Sequence, residues 1–446
     1  MATIKNVFDS TKLTENGDFS FSSTGNNLLD ILFMSEYYTR HPEEVTIGDS
    51  SNEKVFAMFM RDPRYGIGKK VLGMKLLDLT QATYDQIVKC GRFDDLWKHF
   101  YGTDKFYAAV DYLSKEVSNG NELAKKWMPR FGSKNREIAS KIAHYLGMTK
   151  QEYGKWVKLD NTVESLMTHH LESRIKFETV PSLAMLKYAK AFATKEHTKD
   201  NYARYLAAAA EGKAKINMSV TTPYDIYKHA DKIDADLFFD KLEKISINAI
   251  PIVDTSGSMK NKFDSFGKAL SIGHYIAKCS TFMPNHVISF SSRPKLIELG
   301  NEYCDCGAKR VSNYIKEIDS MYTGDCSNTD FGAVMNLLKE VGKDDMPEYL
   351  IVLSDMEFDY GSKQSKDELQ AMWKANGCTT KIIWWNLTNG RGKTIPEMDA
   401  NGNIYMSGYS PMLLKYLQTG FDGEAFLNKL LYEYSNIIDK KSILHL

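Results

Sequence analysis

The sequence predicts an α + α/β protein, in which an all-helical N-terminal region precedes a doubly wound parallel sheet. Apolar residues recur at helical spacing from residue 28 to about residue 240, and strand-like alternation is scarce there. After residue 245, short apolar runs alternate with helical patterns, which is typical of a parallel sheet flanked by helices. We therefore expect two domains, residues 1–240 and residues 241–446.

Length and composition indicate an ordinary globular protein. The chain has 446 residues, of which 43% are hydrophobic and 26% are charged. No apolar run reaches the ~18 residues that a membrane span needs, and the N-terminus lacks the apolar core of a signal peptide. Six cysteines in so long a chain do not make a disulfide framework. We expect reduced thiols, a cytoplasmic location and no membrane partner.

The N-terminal region reads as stacked helix pairs. Its first helix begins after Asn26 or Asn27, either of which can cap it. Prolines separate the later helical patterns at positions 63, 129, 181 and 223. This arrangement is typical of an α-solenoid, although the sequence shows no clean repeat period.

Charge is distributed unevenly although the formal net charge is zero. Residues 121–216 hold 18 Lys+Arg against 10 Asp+Glu, an excess of eight positive charges. Residues 1–120 and 217–446 are each mildly acidic. The basic segment predicts either an anionic partner or a set of solvated helix faces, and the sequence leaves both interpretations open.

A basic loop, Arg61–Lys70, lies between two helical patterns. Its two glycines allow close backbone approach, and a helix begins at its end, so it is suited to hold a phosphate. Its spacing differs from that of a Walker A motif. An ordinary interhelical loop is the alternative interpretation.

The C-terminal half contains five predicted strands and six predicted helices. The strands are expected at 245–254, 286–290, 349–354, 380–386 and 403–406. The helices are expected near 262–279, 307–320, 331–342, 365–375, 410–418 and 423–437.

A metal-ligand pattern follows the first of these strands. The apolar run ends at Asp254, and Ser256 and Ser258 follow at alternate positions. Ligands of open α/β sheets bind at the carboxyl ends of the strands. Carboxylate and hydroxyl oxygens suit Mg²⁺ or Mn²⁺. The alternative interpretation is a Ser/Gly turn that caps the next helix.

The pattern resembles the metal-ion-dependent adhesion site of von Willebrand factor A (vWA) domains. That site also needs a threonine from a later loop and an aspartate from a further strand end, and Thr329 and Asp355 match them in chain order. The resemblance implies that Ser256, Ser258 and Thr329 contact the ion directly, whereas Asp254 and Asp355 hold it mainly through waters. It also implies one open coordination position for an oxygen of a partner.

Further segments along nearly the whole chain resemble the domain-of-unknown-function family 2828. They are Thr14–Gly17, Ser23–Thr24, Leu28–Asp30, the Arg61–Lys70 loop, Gly91–Leu96, Trp127–Arg130, Ser354–Asp359, Ile382–Leu387, and Met406–Ser410 before Leu413–Leu414. That family is similar in layout to the TROVE proteins, which include the Ro autoantigen and join a ring of HEAT-like helical repeats to a vWA domain. The similarity implies a ribonucleoprotein-type scaffold with RNA on the helical domain.

These features suggest three alternative functions. The first is an RNA-binding or RNA-chaperoning scaffold, in which Tyr65 and Trp127 stack on bases. Its candidate phosphate contacts are Arg61, Arg64, Lys69, Lys70, Lys125, Lys126, Arg130, Lys134, Arg136 and Lys141.

The second is a protein-interaction module whose ion recruits an acidic side chain of a partner. The third is a metal-dependent phosphoryl-transfer enzyme that uses Asp355, Glu357 and Asp359. We expect no enzymatic activity, because no nucleophile and base stand together in the sequence.

Overall fold

The computed structural model describes most of the chain between residues 26 and 441. The described ranges are 26–63, 65–159, 162–218, 221–260, 264–290, 293–299, 330–355, 362–387, 403–407 and 423–441, with the single residues 313, 317, 318 and 321.

These residues belong to two compact units that interleave along the chain. The sheet unit comprises Met1–Arg40, Pro181–Ala191 and Ala208–Phe426, and the helical unit comprises His41–Val180, Phe192–Ala207 and Leu427–Leu446. The division of the chain at residue 240 stays a prediction. Among the described residues, no helix is both long and apolar enough to cross a membrane.

Nineteen α-helices lie in the described residues. They are α1 Asn27–Phe33, α2 Ser35–Arg40, α3 Ser51–Arg61, α4 Lys70–Leu79, α5 Tyr84–Cys90, α6 Phe93–Phe100, α7 Phe106–Ser118, α8 Glu122–Trp127, α9 Arg136–Tyr145, α10 Lys150–Trp156, α11 Val163–Thr168, α12 Ser182–Thr194, α13 Lys199–Ala210, α14 Pro223–His229, α15 Ala235–Asp240, α16 Ser265–Cys279, α17 Phe331–Leu338, α18 Ser362–Ala375 and α19 Gly423–Lys441.

Local sequence signals set where several of these helices begin. Ser50, Thr83 and Thr149 each accept a hydrogen bond from the backbone N–H three residues later. The residue at that position is Glu or Gln, and its side-chain oxygen accepts a hydrogen bond from the backbone N–H of the cap residue. This reciprocal capping box satisfies two N–H groups that the helix itself leaves without partners.

Two interhelical turns in the helical unit repeat at a spacing of 30 residues. The backbone N–H and the hydroxyl of Thr103 both donate to the carbonyl of Phe100 after α6. After α8, Ser133 donates to the carbonyl of Arg130 in the same way. The structure thus shows a local repeat in which Tyr101–Thr103 and Phe131–Ser133 hold equivalent positions, although the sequence shows no clean period.

The sheet has six strands in the order β3-β2-β1-β4-β5-β6. They are β1 Ala249–Asp254, β2 His286–Phe290, β3 Lys295–Glu298, β4 Tyr349–Ser354, β5 Lys381–Asn386 and β6 Ile404–Ser407. All neighbours are parallel except β2 and β3, which form an antiparallel hairpin at one edge. The predicted α + α/β class is therefore confirmed, with one antiparallel edge strand added.

Helices cover both faces of the sheet. Ile252 and Val352 face a core formed with α17 and α18, which contribute Phe331 and Trp373. On the other face α16 lies so close to β1 that a Cβ atom on Gly273 would be 2.5 Å from Cγ2 of Val253. This packing fixes β1, the strand that carries the candidate site. The predicted helices 307–320 and 410–418 lie largely or wholly outside the described residues.

Candidate functional site

The candidate metal ligands gather at the carboxyl edge of the sheet, where β1 and β4 end side by side. The two strands are parallel, and Val253 is the register partner of Leu353. Asp254 is the last residue of β1, and Asp355 directly follows β4. The chain leaves β1 towards β2 on one side and resumes with β4 on the other, so this edge is a topological switch point. Such points are where open α/β sheets bind ligands.

The side chains at this edge are enclosed. Asp254 is 0% exposed, Asp355 is 4% exposed, Ser256 is buried, and Ser258 is half-buried. The backbone N–H of Ser256 donates to Oδ1 of Asp254 over 2.9 Å. The hydroxyl oxygens of Ser256 and Ser258 lie 3.1 Å apart. Two carboxylates and two hydroxyls are thus brought together, as the sequence pattern predicts for a metal site.

Electrostatics at the edge favour a bound cation. Burial raises the pKa of Asp254 to about 6, and Asp355 adds to the rise, whereas hydrogen bonds from Ser256 and Ser354 oppose it. Within the described part of the chain, no Lys or Arg side chain forms an ion pair with Asp254. Two neighbouring buried carboxylates repel each other unless positive charge lies between them. The all-oxygen donor set fits Mg²⁺ or Mn²⁺.

Three other predicted site residues lie outside the described residues. They are Thr329, the third direct ligand implied by the vWA resemblance, and Glu357 and Asp359 of the enzyme hypothesis. Asp330, the neighbour of Thr329, caps α17 by accepting a hydrogen bond from the N–H of Ala333 over 3.0 Å.

Two polar residues at the same edge were not singled out from the sequence. Ser354 donates its hydroxyl hydrogen to Oδ2 of Asp254 over 2.6 Å. Asn386, buried at the end of β5, is the register partner of Ser354. The available signal was the polar residue that closes each apolar strand run.

Several predicted RNA contacts are engaged within the helical unit. Arg61 is 3% exposed and forms a buried ion pair with Asp95. Lys70 also pairs with Asp95, over 3.1 Å. The guanidinium of Arg130 donates to the backbone carbonyls of Lys125 and Val157, which ties α8 to the end of α10. These contacts give Arg61 and Arg130 structural roles.

The remaining predicted contacts differ in exposure. Lys134, Arg136 and Lys141 are exposed, and Lys141 lies over the ring of Tyr101 at 4.7 Å. Three further candidates are half-buried, namely Lys69, Lys125 and Lys126. Lys125 pairs with Glu122, and Lys126 lies beside Trp127. Burial lowers the pKa of Lys69 to about 8. Arg64 lies outside the described residues.

Aromatic side chains accompany the exposed cations. The rings of Tyr107 and Tyr145 lie 4.5 Å apart, and both residues are more than two-fifths exposed. Tyr107 also contacts Phe106, which contacts Tyr101 beneath Lys141. Of the two predicted stacking residues, Trp127 lies under the guanidinium of Arg92, and Tyr65 is half-buried.

Comparisons with known proteins match two overlapping segments of the chain to domains of unknown function. Residues 248–433 match the family model of a domain of unknown function, DUF7788. The chain is 23% identical to the uncharacterized protein L728 of Acanthamoeba polyphaga mimivirus, over 96% of this chain and 91% of that protein. The structure is similar to the crystal structure of the Deinococcus radiodurans RO (RSR) protein, with a TM-score of 0.42 and 11% identity, over 94% of this chain and 99% of that chain.

A second family model covers the boundary between the helical and strand-containing parts of the sequence. It is that of the domain of unknown function DUF2828, and it matches residues 118–262. The match includes Trp127–Arg130 and the Asp254–Ser258 pattern. The match to residues 118–262 confirms the resemblance to the DUF2828 family that the motifs indicate.

Proposed function

We propose that the chain is a non-enzymatic scaffold whose sheet unit binds Mg²⁺ or Mn²⁺ and, through that ion, an acidic side chain of a protein partner. The observation that carries the proposal is the buried group of two carboxylates and two hydroxyls where β1 and β4 end. Asp254, Ser256, Ser258 and Asp355 would hold the ion, together with Thr329 by resemblance to the vWA site. The bound ion would supply a Lewis-acidic position that accepts a carboxylate oxygen.

Hydrogen bonds position the carboxylate of Asp254. Both of its oxygens accept one, from the backbone N–H of Ser256 and from the hydroxyl of Ser354. Each oxygen keeps a second lone pair, which can face an ion or a water that bridges to it. A phosphatase and nuclease assay with Mg²⁺ and Mn²⁺ tests the non-enzymatic part of the proposal, which turnover abolished by Asp254→Ala would contradict.

The partner is tested by ion-dependent capture. Immobilised full-length chain should retain a partner in Mg²⁺ and release it in EDTA, and Ser256→Ala should retain none. Ser289→Ala is a matched control, since Ser289 is also a buried serine of the sheet but lies on β2. Retention that is the same in Mg²⁺ and in EDTA would contradict an ion-mediated contact.

We propose RNA binding on the helical unit as a second function, because exposed cations lie beside an exposed pair of aromatic rings. Lys141 is connected to Tyr107 and Tyr145 through the contacts of Tyr101 and Phe106. Cations that neutralise phosphates and rings that stack on bases are the two elements of single-strand recognition.

Salt dependence tests the RNA proposal. For single strands, log K falls against log salt with a slope of about −0.7 per neutralised phosphate. Combining Lys134→Gln, Arg136→Gln and Lys141→Gln should therefore reduce the slope by about 2. Lys244→Gln, an exposed lysine of the sheet unit paired with Asp240, is the control. No binding of mixed RNA by the wild type at ~50 mM salt would contradict the proposal.

A further inference from the structure

Three cations from two segments of the chain converge on one buried carboxylate in the helical unit. The carboxylate is that of Asp94, which is 2% exposed. Nε of Arg92 lies 3.1 Å from its Oδ1, and Nζ of Lys70 lies 4.0 Å from its Oδ2, the atom that Lys98 also contacts. Lys70 begins α4, Arg92 precedes α6, and Lys98 lies within α6. We call Lys70, Arg92, Lys98 and Asp94 the Asp94 cluster.

The cluster carries more positive than negative charge. With the adjoining Arg61 and Asp95 there are four cations and two carboxylates, an excess of two positive charges. The Arg61–Asp95 pair is buried, whereas the side chains of Lys70, Arg92 and Lys98 are 37–41% exposed. The excess charge therefore faces solvent rather than the core.

Contacts within the helical unit position Arg92 without a ligand. The guanidinium of Arg92 lies over the ring of Trp127, 4.3 Å from the centroid. The backbone N–H of Arg92 donates to Asp95 over 2.9 Å. A side chain fixed in this way loses less conformational entropy when it forms a new bond. The ring also has Lys126 beside it, which adds positive charge nearby.

We propose that the Asp94 cluster binds a phosphate group. A phosphate monoester carries about −1.5 to −2 charge at pH 7, which balances the excess of two positive charges. A planar guanidinium pairs with two phosphate oxygens at once, and lysines add flexible point charges. The site is separate from the cation site of the sheet unit, and it adds residues to the RNA proposal that the sequence did not single out, namely Arg92 and Lys98.

A purely structural role is the competing explanation, in which the ion pairs only join α4 to α6. The two explanations differ in their response to phosphate. If the ion pairs are only structural, removing a cation lowers the free energy of unfolding by the same amount with and without phosphate. A phosphate site loses, in addition, the stabilisation that phosphate gives to the wild type.

The test is a thermal-melt titration of the full chain with inorganic phosphate, against sodium chloride at equal ionic strength. Phosphate should raise the Tm of the wild type, and Arg92→Gln should weaken the apparent affinity about tenfold, which is the effect of losing one charge-assisted hydrogen bond. Lys98→Gln should act in the same direction. Lys89 is a half-buried lysine that pairs with Asp85 on α5, and Lys89→Gln should bind phosphate as the wild type does.

Two further experiments distinguish a phosphate group on RNA from free phosphate. They also distinguish failure of the phosphate site from failure of the RNA proposal. A 5′-phosphorylated RNA oligonucleotide should bind more tightly than its unphosphorylated form, and Arg92→Gln should remove that difference. If inorganic phosphate stabilises the wild type more than Arg92→Gln while RNA does not bind, the site stands and only the RNA proposal fails. A wild type that responds to no phosphate ligand would overturn the inference. An equal loss of phosphate affinity in Arg92→Gln and Lys89→Gln would also overturn it.

Discussion

At the scale of single residues, partners decide what a side chain does. The sequence shows Arg61 and Lys141 alike as cations in a basic region, but Asp95 is buried against the first and Tyr101 lies beneath the second. Asp95 is 34 positions away from Arg61 in the chain, and no local pattern links them. Asp254, by contrast, was predicted at its place because it ends an apolar strand run.

Ser354→Ala is predicted to weaken Mg²⁺ binding about 10- to 100-fold, as is typical for a residue that orients a metal ligand. The reason is that Oδ2 of Asp254 would lose its only described side-chain donor in a buried place. Ser354→Thr, which keeps the hydroxyl, should bind nearly as the wild type does. Calorimetric titration of the full chain with Mg²⁺ measures the difference, and Ser289→Ala is the matched control. Equal affinities of Ser354→Ala and wild type would rule out this role.

Arg61→Met is predicted to lower the free energy of unfolding by about 3–5 kcal/mol, because it removes the buried cation that pairs with Asp95 and leaves only the part-exposed Lys70. The double variant Arg61→Met with Asp95→Leu should recover part of the loss. Urea unfolding measures both variants. A loss below ~1 kcal/mol would contradict a structural role for Arg61.

At the scale of elements, apolar runs predicted the strands of the sheet well, and they failed where a strand is exposed. The predicted 286–290 and 349–354 coincide with β2 and β4. No apolar run predicts β3, because Lys295 and Glu298 flank only two apolar residues and its side chains are largely exposed. The 30-residue repeat of interhelical turns also escaped prediction, since the matching residues, Tyr101–Thr103 and Phe131–Ser133, are too few to define a period.

Gly273→Ala is predicted to cost about 1–3 kcal/mol, because the added Cβ would lie 2.5 Å from Val253 between α16 and β1. Adding Val253→Ala should relieve part of that clash. Gly154→Ala is the control, since a Cβ there meets no atom within 4 Å. Chemical denaturation compares the variants, and equal effects at positions 273 and 154 would contradict the close packing.

At the scale of the whole molecule, the order of helical and strand patterns along the chain predicts the fold class. It is a less direct guide to which residues belong to each compact unit. The switch from helical to strand-helix patterning predicted a division at residue 240. In the structure, α14 precedes that point but lies in the sheet unit, where Tyr224 donates to Asp264 over 2.7 Å. Asp264 in turn caps α16 through the N–H of Gly267. A contact across 40 residues leaves no periodic signal in the sequence.

A fragment that begins at residue 221 is predicted to melt at a higher temperature than one that begins at residue 241. The longer fragment keeps α14 and the hydrogen bond from Tyr224 that holds the start of α16. Circular dichroism melts of the two fragments make the comparison, with Tyr224→Phe in the longer fragment as the matched variant. Identical melting of both fragments would show that α14 does not stabilise the sheet unit.

The central claim is that the edge formed by Asp254, Ser256, Ser258 and Asp355 binds a divalent cation. The most direct measurement is the thermal unfolding of the full chain in Mg²⁺ and in EDTA. At ~100 Kd of Mg²⁺ the bound ion should add about 2.7 kcal/mol to the free energy of unfolding, and Asp254→Ala should abolish the gain. A wild type that melts at the same temperature in Mg²⁺, Mn²⁺ and EDTA would contradict the claim.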